Sequence, residues 1–523
     1  MIGFIYHSLR LARAGFVLAR EGVFSNVDAT LVPPAAQVPL ALIKLLKRRG
    51  VKPGSNRIGV AMTRLGPTYI KLGQFLATRP DVVGPQVVRD LESLQDRVPA
   101  LPRETAISTI EASLGKPLDE IFVTFGESVA AASVAQVHRA RVRDADGERD
   151  VAVKVLRPGI ERRFRRDLAD LFFAARFAER WFSEARRLRM VEVVDTLARS
   201  VRMEMDFRLE ASAASEFAEN TAKDVDFLVP GIDWDRTSKD VLTLDWVNGT
   251  PLSDMAAVEA TGIDKRALGR NVIQSFLRHA MRDGLFHADM HQGNLFVDAS
   301  GRLCAVDFGI MGRLGPKERR FLAEILFGFI RRDYRRVAEV HFEAGYVPKI
   351  HNVEDFAQAI RAIGEPIHAR KADEISMAKL LTLLFEITAI FDMRTRTELV
   401  LLQKTMVVVE GVARKLDPRL DMWSTAEPVV RTMIEEKLGP VGILSDAGQS
   451  LGHLARLALD LPNILQRAER VAEKIETAVN EGLPLSRGSV EDIGKAEARG
   501  HLMGDIALWV IALALITLAI RAF

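Results

Sequence analysis

Three residues near the middle of the chain have the types and spacing that phosphoryl transfer needs. Asp289 is followed five positions later by Asn294, inside Phe286-His287-Ala288-Asp289-Met290-His291-Gln292-Gly293-Asn294, and Asp307-Phe308-Gly309 follows. A carboxylate that orients a hydroxyl or a water, then an amide and a second carboxylate for metal ions, are the parts of a kinase-type catalytic loop. Upstream, Val151-Ala152-Val153-Lys154 ends an alternating apolar run on a lysine. A lysine there reaches the α- and β-phosphates of ATP, provided that a helix supplies a carboxylate partner. Glu210, in Asp206-Phe207-Arg208-Leu209-Glu210-Ala211, is the candidate. The catalytic set is therefore Asp289, Lys154 and Glu210, with Asn294 and Asp307 as metal ligands. Carboxylate, amide oxygen and phosphate are hard donors, so the expected ion is Mg²⁺ and the expected cofactor ATP.

Two features qualify this reading. His287, Asp289 and His291 alternate, as ligands of iron or zinc could, but that alternative leaves Lys154, Asn294 and Asp307 unexplained. His287 is expected to be structural. No glycine-rich loop precedes Lys154; Ala130-Ala131-Ala132-Ser133-Val134-Ala135-Gln136 stands in its place. Alanine lacks the positive-φ freedom of glycine, so the phosphate-facing loop should be stiff, unlike that of an ordinary protein kinase.

The elements that would position these residues are legible in outline. Residues 1–50 form an amphipathic helical segment, with Arg10, Arg13 and Arg20 among apolar residues and no small-residue cleavage site. Residues 51–117 read as a helical extension carrying Lys71-Leu72-Gly73-Gln74. Residues 118–247 read as a small lobe. In it three β-type runs (IFVTF, SVAQVHRARV, DVAVKVL) lead to a long helical region reaching about Phe217 and a strand at Val241–Val247. The turn Asp144–Gly147 predicts a hairpin. Residues 248–481 read as a helical large lobe with a helix over 265–283 and short strands at 294–297 and 303–306. Strands, one crossing strand and then helices are the order of a two-lobed α+β, protein-kinase-like fold.

The remainder, 482–505, is a Gly-, Ser- and charge-rich linker, and 506–523 is an apolar tail. Ile506–Ile520 would cover roughly 22 Å as a helix, short of a ~30 Å hydrocarbon core. With no following chain in the sequence to cover it, a membrane-embedded tail is expected, with Lys495 and Arg499 favouring a cytoplasmic body. A bacterial inner membrane fits. A net charge of +3 supplies no strong field for nucleic acid. The single cysteine, Cys304, excludes an intrachain disulfide and reads as a buried, inert thiol. The Arg-rich stretch from Arg157 to Arg189 reads as a solvated face with Glu161, Asp167 and Glu184 as partners; contact with anionic lipid is the alternative.

With these residues in view, the chain resembles the UbiB family of atypical kinase-like proteins, which support ubiquinone biosynthesis. The resemblance covers most of residues 58–315. It rests on Lys71-Leu72-Gly73-Gln74 (a KxGQ motif), the Ala130–Ser133 run, Lys154, Glu204-Met205-Asp206 (ExD), Glu210, the catalytic loop and the DFG. It implies that the KxGQ helices fold over the active site, where a protein substrate would otherwise bind. It further implies that Lys71 pairs with Glu204 and Asp206, that Gln74 lies near the phosphates, and that Ala130, Ala131, Ala132 and Ser133 border the nucleotide. The implied activity is that of an ATPase, or a small-molecule or lipid kinase, responsive to membrane and phenolic precursors. Its implied partners are ubiquinone-biosynthesis enzymes, membrane lipid and polyprenylated phenol intermediates, and a homodimer stays open. A nucleotide-binding scaffold without turnover is the main rival. Family members are also named 2-polyprenylphenol hydroxylases, but no dinucleotide fingerprint supports flavin chemistry. The chain departs from the family pattern at Ser128, Met290 and Gln292, where proline is frequent; none of these should carry chemistry.

Overall fold

The computed structural model describes residues 2–26, 57–77, 85–92, 98–368 and 397–438, with a few isolated positions between them. Two compact units emerge, one formed by Met1–Val51 with Glu435–Phe523 and the other by Lys52–Ile434. In the first unit, helix α1 (Ile2–Arg20) buries Ala12 and Ala19 and exposes Ile5, Tyr6 and Leu9. Among the described residues no helix is long and apolar enough to cross a membrane. The 482–505 linker and the 506–523 tail lie outside them.

The second unit opens with α2 (Arg57–Leu65) and α3 (Pro67–Leu76), the KxGQ helices. Gly66 joins them at φ +102°, where a Cβ would collide with the Arg163 guanidinium. Pro67 then starts α3, its missing N–H costing nothing in a first turn. After α4 (Pro85–Glu92), α5 (Arg103–Leu114) ends on Gly115 in the left-handed conformation that closes helices. The expected strand at IFVTF is displaced. Pro117 begins a single helical turn, α6 (Leu118–Ile121), with Asp119 and Glu120 at its positive end, and the strand starts only at Thr124.

Strands β1 (Thr124–Ala131), β2 (Ala135–Asp144), β3 (Gly147–Leu156) and, after an insertion, β5 (Val241–Asp245) make an antiparallel sheet in the order β1-β2-β3-β5. The β2–β3 hairpin turns at Asp144 and Gly147, as the sequence predicts. Strand alternation sorts β3 cleanly. Val151, Val153 and Val155 are buried with Ile110, Ile121 and Phe122 beneath α5 and α6. Lys154 falls on the opposite face.

That opposite face is covered by the insertion, α7 (Ile160–Trp181), α8 (Ser183–Arg187), α9 (Met190–Glu204) and α10 (Phe207–Thr221), through Phe164, Leu197, Phe207 and Leu242. The expected helical region is present and divides into four helices at three points: Phe182 is extended, Arg189 takes φ +50°, and Asp206 caps α10 by accepting from Arg208 N at 3.2 Å. Asp at an N-cap satisfies a donor that the helix leaves open.

The large lobe contains α11 (Met255–Ala260), α12 (Lys265–Arg278), a π-helical turn at His279–Asp283, and α13 (Pro316–Arg331) through α14 (Tyr334–Glu343), α15 (Val353–His368), α16 (Thr397–Leu416) and α17 (Met422–Leu438). Strand β7 (Leu285–His287) pairs with β10 (Met311–Arg313), and β4 (Phe227–Leu228), β9 (Leu303–Ala305), β8 (Leu295–Asp298) and β6 (Gly249–Pro251) form a second sheet in that order. Gly312 lies so close to the Phe286 ring that no side chain fits there. The lobe's apolar core, including Phe276, Phe286 and Phe308, packs directly behind these strands. Cys304, on β9, is fully buried, and burial pushes its thiol up to about 12.

Four core histidines make stability pH-dependent. His138, His279, His287 and His341 are buried, and burial lowers each below its ordinary 6.5. The unfolded chain protonates them as pH falls through about 6.5, whereas the folded chain resists. Glu210 and Glu410 oppose this, because burial raises both and the folded chain protonates them first. Four groups against two leave a net loss towards acid of at most about 2.7 kcal/mol per pH unit. Tm should therefore be lower at pH 5.5 than at pH 7.5 in matched ionic strength; an equal or higher Tm at pH 5.5 would contradict this balance.

Candidate active site

The site is assembled around Lys154. Its ammonium donates to Glu210 Oε1 at 2.8 Å and Oε2 at 3.0 Å, and to Asp307 Oδ1 at 2.8 Å. The Phe207 ring lies 5.4 Å from the same nitrogen. Glu210 occupies the first turn of α10, where the helix dipole favours a carboxylate. Its side chain is 7 % exposed and that of Lys154 15 %, whereas the Asp307 side chain is 50 % exposed. Asp307 is thus the member of the trio that solvent reaches.

One cation between two carboxylates leaves an excess negative charge, and burial decides where it is relieved. Burial pushes the Glu210 carboxyl up to about 7, against the pull of Lys154. For Asp307 burial acts the same way, but Lys154 outweighs it and holds the carboxyl well below the usual carboxylate range. Burial alone would lower Lys154; the charges of Asp307 and Glu210 keep it above its ordinary value. Asp307 also has φ +63°, an uncommon conformation for a non-glycine residue. Such outliers concentrate where a side chain must be aimed.

The catalytic loop is held by its own backbone. Buried His287 receives Asp289 N–H at Nδ1 (3.1 Å), which leaves Nε2 to donate to the Val306 carbonyl (3.1 Å). Both ring nitrogens are therefore occupied, which removes His287 as a metal ligand and bears out its structural role. Asn294 Nδ2 donates to the Asp289 carbonyl at 3.1 Å. His291 Nε2 lies 3.6 Å from Asp289 Oδ2. Phe308 packs, tilted, between His287 (5.5 Å) and Phe217 of α10 (6.0 Å), so the DFG segment is packed against the helix that carries Glu210.

The extension reaches the same place. Lys71 on α3 forms an ion pair with Glu204 at the end of α9. Its charge also acts on Asp307, as that of Glu204 does on Glu210. Thr68 Oγ1 donates to Asp167 Oδ2 at 2.6 Å and Arg163 Nη2 to the Leu65 carbonyl at 3.1 Å, fixing α3 on α7. Gln74 sits one turn beyond Lys71, half-buried. Asp206 is held differently from Glu204: it caps α10 and accepts from Arg208 at 2.7 and 2.9 Å.

The alanine-rich segment proves shorter than a loop. Ala130 and Ala131 are strand residues paired with Val137 and Gln136. The reversal starts at Ala132, whose N–H donates to Ala135 O at 2.8 Å, and Ser133 is fully buried. Arg157 clasps this turn, donating to Ala132 O at 2.9 Å and to Pro99 O at 2.7 Å.

Two further contacts carry no signal in the sequence because their partners are over a hundred residues away. Thr405 on α16, fully buried, has its hydroxyl 2.9 Å from the Ala288 carbonyl and 2.8 Å from Leu401 O. Lys415, on the same helix, donates to Gln292 Oε1 at 2.8 Å. Helix α16 therefore braces both ends of the catalytic loop.

The chain is similar to known proteins over most of its length. The ABC1 atypical kinase-like domain matches residues 93–341 and the UbiB helical domain residues 360–421. A protein of Marinobacter nauticus named "Probable protein kinase UbiB" is 40% identical over 469 residues, covering 88% of this chain and 84% of the relative. A protein of the same name from Azotobacter vinelandii is 38% identical over 433 residues, covering 82% and 80%. Among solved structures, Rv3197 of Mycobacterium tuberculosis, determined with erythromycin, aligns at 23% identity and a TM-score of 0.48 over 76% of this chain and 98% of its own.

The brace from α16 generates a test. Thr405→Val keeps the shape but removes a hydrogen bond worth about 1 kcal/mol. Turnover should fall roughly fivefold with the KM for nucleotide little changed. An unaltered kcat would show that the loop does not depend on this contact.

Proposed function

This chain belongs to the UbiB family of atypical kinase-like proteins, and from that premise we propose that it is a Mg²⁺-dependent ATPase, or small-molecule or lipid kinase, that supports ubiquinone biosynthesis. Its work would be to make polyprenylphenol intermediates accessible to other enzymes of the route at a membrane, with residues 506–523 as the anchor and the catalytic body cytoplasmic. The observation that carries the reading is Lys154 held jointly by Glu210 and Asp307.

The donor set fits the cofactors. Asp307 offers an exposed carboxylate, and Asn294 spends its amide N–H on the Asp289 carbonyl, which keeps its oxygen for a cation. These two residues would hold Mg²⁺, a cation that prefers oxygen donors. Bound ATP supplies the phosphoryl group and the metal neutralises charge on it. Lys154 would bind phosphate oxygens, with Glu210 fixing its direction. Asp289 would orient an acceptor hydroxyl or water, its carboxylate set by the backbone bonds of His287 and Asn294. Lys71, Gln74, Glu204 and Asp206 would border the nucleotide from the extension, and the Ala130–Ser133 turn from the small lobe. Placement of α3 beside the site favours a small acceptor or water over a protein substrate.

The test is ATP hydrolysis by the pure full-length chain with Mg²⁺, with and without liposomes carrying a phenolic quinone precursor. Vesicles plus precursor should raise turnover, and Asp289→Asn should lower it at least a hundredfold while nucleotide still binds. Wild-type turnover no higher than that of Asp289→Asn would replace the enzyme reading with a nucleotide-binding scaffold.

A further inference from the structure

The catalytic loop carries a side chain that the chemistry above leaves unused. His291 lies two residues beyond Asp289. Its backbone N–H donates to the Asp289 carbonyl at 2.9 Å, and its own carbonyl accepts from Asn294 N at 2.9 Å. This tight turn sets the imidazole beside the Asp289 carboxylate. Gly293 N–H donates to His291 Nδ1 at 3.0 Å. A ring nitrogen that accepts carries no hydrogen, so in the neutral imidazole the hydrogen sits on Nε2. Nε2 is the atom that faces Asp289, 3.6 Å from Oδ2. Asn294 Nδ2 lies 3.5 Å from the same oxygen. The ring's seat is built into the backbone: a Cβ on Gly293 would come within 2.8 Å of His291 Cε1 and 3.0 Å of Nδ1. His287 makes the comparison within one loop. It also accepts a backbone N–H at Nδ1, but it is buried and its Nε2 donates to the Val306 carbonyl. His291 takes the same tautomer, yet among the described residues no group stands within hydrogen-bond distance of its Nε2–H. The side chains of His291 and Asp289 are 50 % and 38 % exposed, so a small molecule reaches both.

We propose that His291 is a further catalytic residue, whose Nε2–H donates to the oxygen of the phosphoryl acceptor while Asp289 takes that oxygen's proton. The inference rests on the ATPase or kinase reading and adds to it the residue that recognises the acceptor. A gap of 3.6 Å is too wide for a hydrogen bond between the two side chains, but one oxygen seated in front of them touches both. A donor beside a carboxylate is complementary to a hydroxyl, which accepts one hydrogen bond and gives up one proton. The pair therefore selects water, an alcohol or a phenol. A carboxylate acceptor brings no proton for Asp289 and is repelled by it. An ammonium has no lone pair for the Nε2–H. In the step, the hydroxyl oxygen bonds to the γ-phosphorus of ATP and the bond from that phosphorus to the β,γ-bridging oxygen breaks. ADP leaves, and the hydroxyl proton passes to Asp289. The hydrogen on Nε2 stays on the ring throughout. Its work is orientation: it engages one lone pair of the acceptor so that another faces phosphorus.

The experiment measures kcat and KM for ATP hydrolysis by the full chain with Mg²⁺, in wild type, His291→Phe, His291→Gln and Gly293→Ala. Asp289→Asn is the blank, and a fluorescent ATP analogue reports nucleotide binding in every variant. Phenylalanine keeps a ring without a donor, whereas glutamine places an amide N–H at about the reach of Nε2. His291→Phe should lower kcat roughly tenfold to a hundredfold, the loss of one hydrogen bond to a group that carries charge. Its KM and its analogue binding should change little, and His291→Gln should recover most of the rate. Gly293→Ala crowds the ring from its seat. It should lower kcat in the same sense and add nothing when combined with His291→Phe. If His291→Phe turned over at the wild-type rate while Asp289→Asn did not, the proposal would be overturned and the enzyme reading would stand. A loss shared equally by His291→Gln, or matched by weaker analogue binding, would make the ring a brace of the loop and overturn the proposal too. Wild-type turnover no higher than that of Asp289→Asn would overturn the enzyme reading itself and this assignment with it.

Discussion

Everything in the site depends on one buried cation shared by two carboxylates. Lys154 cannot stand alone on an enclosed strand face, because an unpaired buried charge costs several kcal/mol. Glu210 and Asp307 offset that cost, but they come from different lobes, so the ammonium ties the small-lobe strand to α10 and to the DFG segment at once. The arrangement is overcharged by one carboxylate. Glu210, the more enclosed acid, absorbs the excess as a carboxyl raised to about 7, and Asp307, the more exposed one, stays ionised. That division suits a site in which Asp307 receives a metal and Glu210 keeps hold of Lys154.

The surrounding elements read as devices for maintaining this trio. Asp206 caps α10 and sets Glu210 in its first turn. Phe308 packs against Phe217 on α10, which joins the DFG segment to the glutamate helix. His287 uses both nitrogens to hold the loop between Asp289 and Val306. The KxGQ extension adds a second cation–carboxylate pair, Lys71 with Glu204, whose charges act on the first trio. A helix from the far end of the fold, α16, completes the frame by contacting Ala288 and Gln292.

What the sequence disclosed and what it hid follow from the range of the interactions involved. The α+β two-lobed order, the hairpin at Asp144–Gly147 and the faces of β3 were legible because alternation and turn chemistry are local. The pairing of Lys154 with Glu210 was legible from the residues themselves, that of Lys71 with Glu204 through the resemblance to a family, and the geometry agrees with both. The start of β1 was missed because Pro117 and the acids after it favour a helical turn over the apolar IFVTF run. The alanine-rich segment was taken for a loop because strand pairing of Ala130 and Ala131 depends on β2, not on their own propensity. Thr405, Lys415 and Arg157 were invisible: each acts through a backbone carbonyl or an amide that tertiary packing alone brings near.

In the proposed function Asp307, with Asn294, holds the metal that accompanies the nucleotide. The direct measurement is equilibrium binding of a fluorescent ATP analogue to the full chain, with and without Mg²⁺, in wild type and Asp307→Asn. Wild type should bind at least tenfold more tightly with Mg²⁺, and Asp307→Asn should lose that difference, since the carboxylate is the charged ligand in the donor set. If Asp307→Asn kept the full Mg²⁺ dependence, the metal would be held elsewhere and the assignment of this trio would be wrong.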